Sequence, residues 1–406
     1  MIKEVNAPLD WRKVNLGDCF IEGKKSHIKV DDATGFGSYP FFTSGEDVLL
    51  HNEKLTEGEN IYLSTGGNAV VKYYNGEAAY STDTYVVTGK EKYSSKFLYY
   101  VLDYLTDYIN INYFQGSGLR HLQKKALKQH EVLIPSTYDE QQRIADALTQ
   151  IDDVIDSNKR LIAKYEKVKL GMMHDLLTFG IDAKGNIRSE QTHQFKNSDI
   201  GRIPVEWEVV ELSSISQAID AQPDHRTPAE VENGIPYVGI GDVDEYANLL
   251  TAKCRHVGQE VLQKQKSIFK IENGDIIFGK IGTIGKPKRL PNISVEYAIS
   301  ANVIIIKPHE HALFVYYTLK SDYVDKQVDL SIHATTQPAF GMGKIRSLNI
   351  KWPILKEQEQ NCEQNIIANI MQQLDNYIYE LYKEQNKLLL IRKGFLSDLI
   401  TGKVRI

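Results

Sequence analysis

The sequence has little cysteine and no long apolar run. Its three cysteines, Cys19, Cys254 and Cys362, lie far apart and form no paired Cys or Cys/His spacing, so neither a disulfide framework nor a zinc site is expected. No stretch approaches the roughly 20 apolar residues that span a bilayer. Residues 1–10 lack the basic-then-apolar layout of a signal peptide. These absences favour a cytoplasmic protein with buried free thiols.

The sequence also lacks the signatures of common nucleotide-binding and methyl-transfer enzymes. The dipeptide Asn-Pro is absent, which excludes the Asn-Pro-Pro-aromatic motif of amino-methyltransferases. The run from Gly279 to Lys286 departs from a P-loop, because its first glycine is one position off and Pro287 replaces the required Ser or Thr. These absences oppose a nucleotide-binding or methyl-transfer enzyme, and the spacing of Cys and His predicts no metal site.

Length and charge limit the remaining choices. With 406 residues, 42% of them hydrophobic and 25% charged, the chain is expected to fold into two or more domains. The formal net charge of −5 does not favour nucleic acid as a partner. However, phosphate binding needs a local basic surface and not a basic protein, so the distribution of charge matters more than its sum.

The chain contains an internal repeat. The pattern Pro-x-x-Trp at Trp11 recurs 196 residues later at Trp207. Between Glu140 and Thr178, twelve of 39 positions are identical to those 223 residues further along. The sequence is therefore interpreted as a unit duplicated in tandem, with about 27 extra residues in the second copy.

Each copy combines a mixed α+β globular domain with one long helix. Short β-like runs broken by glycine fill the first part of each copy, whereas residues 140–178 contain no proline and one glycine. We predict globular domains at 1–134 and 207–352, long helices at 135–180 and 353–406, and a polar linker at 181–206.

Apolar residues in both helices follow a 4-3 rhythm typical of coiled coils. A helix of about 40 residues is roughly 60 Å long and cannot bury such a stripe against one small domain. We therefore expect the two helices to pack antiparallel on each other. The residues predicted to form the helix pair, or to dock other subunits, are Ile151, Ile155, Tyr165, Val168, Met172, Leu374, Ile378, Leu388, Ile391 and Phe395.

Two acid-free basic strips precede the long helices, at residues 108–130 and 330–356, and a third basic cluster surrounds residues 279–289. A single strip is most simply a solvated surface, but recurrence at equivalent places favours DNA binding. Cations hold phosphates, while hydroxyl and amide groups read base edges. These strips supply the candidates Ser117, Arg120, Lys124, Lys125, Lys280, Lys286, Lys288, Thr336, Gln337, Lys344 and Arg346.

The whole pattern resembles the specificity subunits of type I restriction-modification systems. The resemblance rests on the paired Pro-x-x-Trp openings, the run Ile134-Pro-Ser-Thr-Tyr-Asp-Glu-Gln-Gln-Arg-Ile-Ala145, and the join from Phe195 to Trp207. In the second copy, Lys280-Ile-Gly-Thr-Ile-Gly285 and Thr336-Gln-Pro-Ala339 are similar to motifs of that family's recognition domain. The resemblance adds Thr283 to the DNA-binding candidates.

The first copy lacks both of these runs. It carries Ser64-Thr-Gly-Gly67 and Gly116-Ser-Gly-Leu-Arg120 where they are expected, which adds Ser64 and Thr65 as candidates. In the second helix the Glu-Gln start occurs at Glu363 and also at Glu357, so its first residue is left open.

The resemblance implies that each domain reads one half of an asymmetric split site on double-stranded DNA and that the helices set the unread gap. It implies that this chain holds no catalytic residue and no cofactor. It also implies two modification subunits, which bind S-adenosylmethionine, and restriction subunits, which use ATP and magnesium. A fused or stand-alone DNA methyltransferase or nuclease is the alternative function. A scaffold whose helices only oligomerise is a third hypothesis.

Overall fold

The computed structural model describes residues 8–222, 227–291, 295–332, 339–354 and 362–406. The chain divides into two compact units. The first consists of Met1–Lys159 with Glu384–Ile406, and the second is Arg160–Lys383. Both boundaries fall inside long helices, so each unit contains one globular domain and part of each helix.

The first unit begins with short strands and ends in a long helix. Its strands are β1 (Trp11–Asn15), β2 (Phe20–Glu22), β3 (Tyr39–Phe42), β4 (Val48–His51), β5 (Glu59–Ser64), β6 (Val71–Asn75), β7 (Ala79–Tyr80), β8 (Thr84–Gly89), β9 (Phe114–Gln115), β10 (His121–Leu122) and β11 (Glu131–Pro135). Its helices are α1 (Leu16–Cys19), α2 (Ser95–Tyr104), α3 (Thr106–Asn112), α4 (Lys124–Lys128) and the start of α5 (Tyr138–Thr178).

The second unit likewise contains short strands and helices that lead into a long helix. Its strands are β12 (Phe195–Ser198), β13 (Gly201–Pro204), β14 (Trp207–Glu211), β15 (Ser216–Asp220), β16 (Ile235–Val238), β17 (Arg255–Val257), β18 (Ile276–Gly279), β19 (Gly285–Arg289), β20 (Ala298–Ile299), β21 (Val303–Pro308) and β22 (Asn349–Pro353). Its helices are α6 (Leu212–Ile215), α7 (Gln259–Ile268), α8 (Ala312–Leu319), α9 (Asp322–Ile332), α10 (Met342–Arg346) and the start of α11 (Glu363–Ile400).

The two larger sheets have the same topology in both domains. A four-stranded sheet has the order β2-β8-β5-β6 in the first and β15-β21-β18-β19 in the second. A three-stranded sheet has the order β4-β3-β7 in the first and β17-β16-β20 in the second. In each domain the opening strand pairs antiparallel with the strand before the long helix, as β1-β11 and β14-β22. The predicted duplication and the α+β class are confirmed.

Both long helices complete the core of each domain. In the first unit, Leu148 of α5 and Leu399 of α11 are buried with Trp11. In the second, Leu176 of α5 and Met371 of α11 are buried in the core that holds Trp207 and Trp352. Burying one such aliphatic side chain contributes about 1.5–3 kcal/mol. The domains therefore depend on the helices for part of their hydrophobic stabilisation.

The helix segments are antiparallel within each unit. In the first, Asp152 pairs with Arg392 while Asn158, further along α5, hydrogen-bonds Gln385 at 2.9 Å, earlier in α11. In the second, the rings of Tyr165 and Tyr377 lie 4.7 Å apart, while Lys169, further along α5, pairs with Asp375, earlier in α11. The predicted antiparallel pairing is thus seen in both units.

Two residues predicted for the helix pair lie elsewhere. Val168 is 38% exposed and Ile391 is 48% exposed, so neither packs between the helices. An offset of 223 residues relates equivalent positions in the two copies of the repeat. Two equivalent positions on antiparallel helices can both face outward, so their equivalence does not show that they pack against each other. Ile155 and Ile378, in contrast, are buried.

The three cysteines agree with the expectation from the sequence. Cys19, Cys254 and Cys362 are buried free thiols, and burial raises the pKa of Cys19 and of Cys254 to about 11. Among the helices within the described ranges, none has the length and apolar content needed to cross a membrane.

Candidate nucleic-acid interface

In the second domain, one loop joins β18 to β19 and carries the glycine-rich motif. Lys280 N donates to Asn302 O at 2.8 Å, and Phe340 N donates to Lys280 O at 2.9 Å. Ile281 forms a β-bridge with Ala339, so the loop lies beside the last residue of the second predicted motif. Thr283 is exposed at the loop tip. Thr336 and Gln337 lie outside the described residues.

The first domain has the same arrangement without the motif. Thr65 N donates to Asp83 O at 2.9 Å, and Leu122 N donates to Thr65 O at 3.0 Å. Gly66 forms a β-bridge with His121, as Ile281 does with Ala339. The loops that follow Ser64 and Gly116 therefore occupy the places of the two motifs, although their residues differ.

Three candidates serve internal contacts. Ser64 is buried, and its hydroxyl donates to Asn68 O at 2.6 Å and accepts from Val70 N at 2.9 Å. Lys280 is 4% exposed and its ammonium lies 2.9 Å from Asp220. The Lys288 ammonium pairs with Glu245.

These three side chains shape the loops, so we no longer expect them to contact DNA. A basic or hydroxylic residue in a basic strip looks the same in sequence whether its partner is a phosphate or an acid from a distant element.

Two further candidates are partly engaged. The Arg120 guanidinium donates to Asn68 Oδ1 at 2.5 Å and to Asn110 O at 3.3 Å, which ties the loop at Gly116 to the loop after β5. The Lys344 ammonium donates to Ser331 O at 3.0 Å near the end of α9. Both cations therefore support the loops around them.

The remaining candidates are available to solvent. Lys124, Lys125, Lys286 and Arg346 are exposed, as is Ser117. The Lys124 ammonium lies 4.4 Å from the ring centre of Tyr85, and partial burial lowers the pKa of this lysine. The Lys286 ammonium is 3.9 Å from Asp325, a contact that leaves it accessible. Exposed cations thus flank the paired loops in both domains, as binding of a phosphate backbone requires.

Sequence reasoning missed a polar cluster that fastens each domain to its helices. In the second unit, Trp207 Nε1 donates to Glu363 at 3.1 Å, and the Arg188 guanidinium binds both oxygens of Glu363 at 2.5 and 3.1 Å. Gly180 has φ +65° and lies against this cluster, where a Cβ would meet Glu363 at 2.2 Å. We call this set the Trp207 cluster.

The first unit contains an equivalent set, the Trp11 cluster. Trp11 Nε1 donates to Glu140 at 3.2 Å, and Arg405 binds both Glu140 and Asp10. The repeated Pro-x-x-Trp and Glu-Gln patterns were visible in the sequence, but their contact with each other was not.

A second duplicated contact holds each domain against both helices. In the first unit, Tyr100 Oη donates to Asp152 at 2.9 Å, and Asp152 also pairs with Arg392. Arg392 also binds Asp103 at 2.8 Å. A domain residue and a residue from each long helix therefore meet at one carboxylate.

The second unit repeats this contact with a different cation. Tyr317 Oη donates to Asp375 at 2.8 Å, and Asp375 pairs with Lys169. Lys169 occupies the position in the repeat that Arg392 occupies 223 residues later. The two contacts restrict how far each domain can move on its helices.

No group of three or more His, Cys, Asp or Glu side chains suited to a metal ion occurs within the described ranges. The paired loops present backbone, hydroxyl, amide and cationic groups, which are the groups that bind DNA. The geometry therefore describes a tandem pair of nucleic-acid recognition domains.

Comparison with known proteins identifies the family. Residues 8–167 and 204–390 match the model described as Type I restriction modification DNA specificity domain. The type I restriction enzyme MjaVIII specificity subunit of Methanocaldococcus jannaschii is 26% identical, covering 99% of this chain and 95% of that protein. The EcoDI specificity subunit of Escherichia coli is 22% identical, covering 98% and 88%.

A solved structure supports the fold. The crystal structure of the type I restriction-modification S subunit from M. genitalium matches with a TM-score of 0.65 and 17% identity, covering 98% of each chain. The two domains of this protein are DNA-specificity domains. The chain belongs to the type I restriction-modification DNA specificity family, and the relatives that it matches are specificity subunits. Nothing in these comparisons supports the alternative of a fused methyltransferase.

Proposed function

We propose that this chain reads a split DNA sequence, with one part read by the paired loops of each domain. The observation that carries the proposal is the recurrence of one loop arrangement in two separate domains. Thr65 and Lys280 make the same backbone contacts in the two domains, but the side chains around them differ. Two loops with the same backbone contacts but different side chains are suited to reading two different half-sites.

We further propose that two modification subunits dock on this chain, one on each copy of a small apolar patch. Val168 and Gly171 form the patch in the second unit, and Ile391 and Gly394 form it in the first. A Cβ on either glycine would meet nothing within 4 Å. Glycine inside a helix is about 1 kcal/mol less favourable than alanine. Because nothing among the described residues requires glycine there, close approach of another subunit is the better reason for it.

The modification subunits would supply S-adenosylmethionine and methylate adenine, and restriction subunits would supply the ATP- and magnesium-dependent cleavage. On this proposal the chain contributes sequence recognition and holds the other subunits at a defined distance from the bases.

Selection of bound DNA from a random pool tests the proposal. The full chain with its modification subunits is expected to recover two short sequences separated by a gap of constant length. Binding should weaken steeply as salt rises, because cations such as Lys124 and Lys286 replace counterions on the phosphates. A single continuous motif, or no motif, would contradict the proposal.

A further inference from the structure

A three-residue turn beside the paired loops has the same structure in both domains. Residues 81–83 join β7 to β8, and residues 300–302 join β20 to β21. Ser81 N donates to Phe42 O at 2.9 Å, and Ser300 N donates to Val238 O at 2.8 Å. The third residue of the turn is Asp83 in the first domain and Asn302 in the second, and both are exposed.

The main chain of this third residue is fixed by the recognition loop. Asp83 O accepts from Thr65 N at 2.9 Å, and Asn302 O accepts from Lys280 N at 2.8 Å. Each side chain therefore projects from a rigid point directly beside the loop proposed to lie on DNA. Rigid placement is what a base-reading side chain needs, because hydrogen bonds to base edges depend on direction.

The turn itself does not need these side chains. Asn and Asp often stabilise turns by accepting from nearby backbone N–H groups. In the second domain, Ser300 Oγ performs that task by accepting from Asn302 N at 3.3 Å. In the first, the Ser81 hydroxyl bonds the Thr84 hydroxyl at 3.0 Å. Within the described residues, neither the Asp83 carboxylate nor the Asn302 amide has a hydrogen-bond partner.

Asn302 also borders an open cleft. The cleft has a volume of about 330 Å³, and Gly241, Gly282, Thr283 and Ser300 are among the residues that line it. Glycine walls allow close approach of a bulky planar group, since no side chain stands in the way. The cleft thus gives a base edge access to the Asn302 amide.

We propose that Asn302 and Asp83 are base-reading residues, Asn302 for adenine and Asp83 for the exocyclic amino group of cytosine. A carboxamide both donates and accepts, which matches N6 and N7 of adenine in the major groove. A carboxylate only accepts, which matches N4 of cytosine. Phosphates repel a carboxylate on a surface that faces DNA. Recognition of a cytosine amino group would explain why Asp83 occupies this position. This inference rests on the proposed function.

The test exchanges the two side chains in the full chain bound to its modification subunits. Asn302→Asp and Asp83→Asn are assayed by selection from a random DNA pool. Asn302→Asp should lower the preference for adenine at one position of one half-site by roughly 10- to 100-fold and favour cytosine there. Asp83→Asn should make the converse change in the other half-site. The gap should stay the same in both variants.

Matched controls make the same chemical change elsewhere on each domain. Asn273→Asp and Asp107→Asn alter exposed residues away from the turn and should leave both half-sites unchanged. The unaltered half-site in each variant shows that the protein is folded. Asn302→Ala should weaken the preference for adenine at the same position of the half-site at which Asn302→Asp favours cytosine.

Three outcomes would overturn the inference. An unchanged motif, a uniform loss of affinity for all sequences, or loss of both half-sites would each show that these side chains do not read bases. Failure of the proposed function would be distinguishable from these outcomes, because the chain without substitutions would then yield no split motif.

Discussion

Removal of one arginine from each Trp cluster should affect the two units very differently. Arg188 and Glu363 in the Trp207 cluster are 4% and 8% exposed. In the Trp11 cluster Glu140 is 5% exposed, but its partner Arg405 is 48% exposed. Arg188→Ala leaves a buried carboxylate without its cation, whereas water can replace the guanidinium of Arg405.

The expected magnitudes follow from burial. Breaking a buried ion pair by removing one partner costs about 3–5 kcal/mol, because the remaining charge stays in a poorly solvated site. A half-exposed pair contributes at most about 1 kcal/mol. We therefore expect Arg188→Ala to lower the free energy of unfolding of the second unit by about 3–5 kcal/mol. Arg405→Ala should lower that of the first unit by much less, because Arg405 is 48% exposed.

Hydrogen exchange of the full chain is the appropriate assay, because it reports the opening free energy of each unit separately. Residues 160–383 should lose protection in Arg188→Ala, and the remaining residues should not. Arg188→Lys serves as a control, because it keeps a cation beside Glu363 and should give a smaller loss. Equal losses in the two arginine variants would refute the argument from burial.

Two further predictions concern docking and acid stability. Ile391→Asp should lower the number of bound modification subunits from two to one, and the double variant with Val168→Asp should bind none, as native mass spectrometry can show; two subunits bound to the double variant would exclude this patch. Although burial alone would raise the pKa of Glu245, Lys320 and Lys288 lower it from 4.5 to about 2. Its stabilisation is therefore complete above pH 4.5 and lost as pH falls towards 2. The shift corresponds to about 3 kcal/mol, which we reduce to about 1 kcal/mol because Glu245 is 51% exposed. Glu245→Gln should lower the unfolding free energy at pH 7 by that amount and flatten its decrease in acid, and an unchanged acid transition would contradict the pairing.

Much of the architecture could be predicted from the sequence alone. The duplication, the two long helices and their antiparallel pairing follow from patterns that repeat along the chain, such as the 4-3 rhythm around Ile155 and Ile378. The apolar stripe of a helix is formed by residues three and four positions apart, so it can be recognised in the sequence. Proline-free stretches and the glycines that end the helices are equally local.

The roles of individual site residues were decided by the tertiary structure. Lys280 and Lys286 belong to the same basic cluster in sequence, yet the first is buried against Asp220, 60 residues away, and the second is exposed. The equivalence of Thr65 with Lys280 is likewise invisible in sequence, because backbone hydrogen bonds define it and side chains do not. Local patterns determine which elements form. The partner of a charge or the neighbour of a turn depends on which distant segments the fold brings together, and only the tertiary structure contains that information.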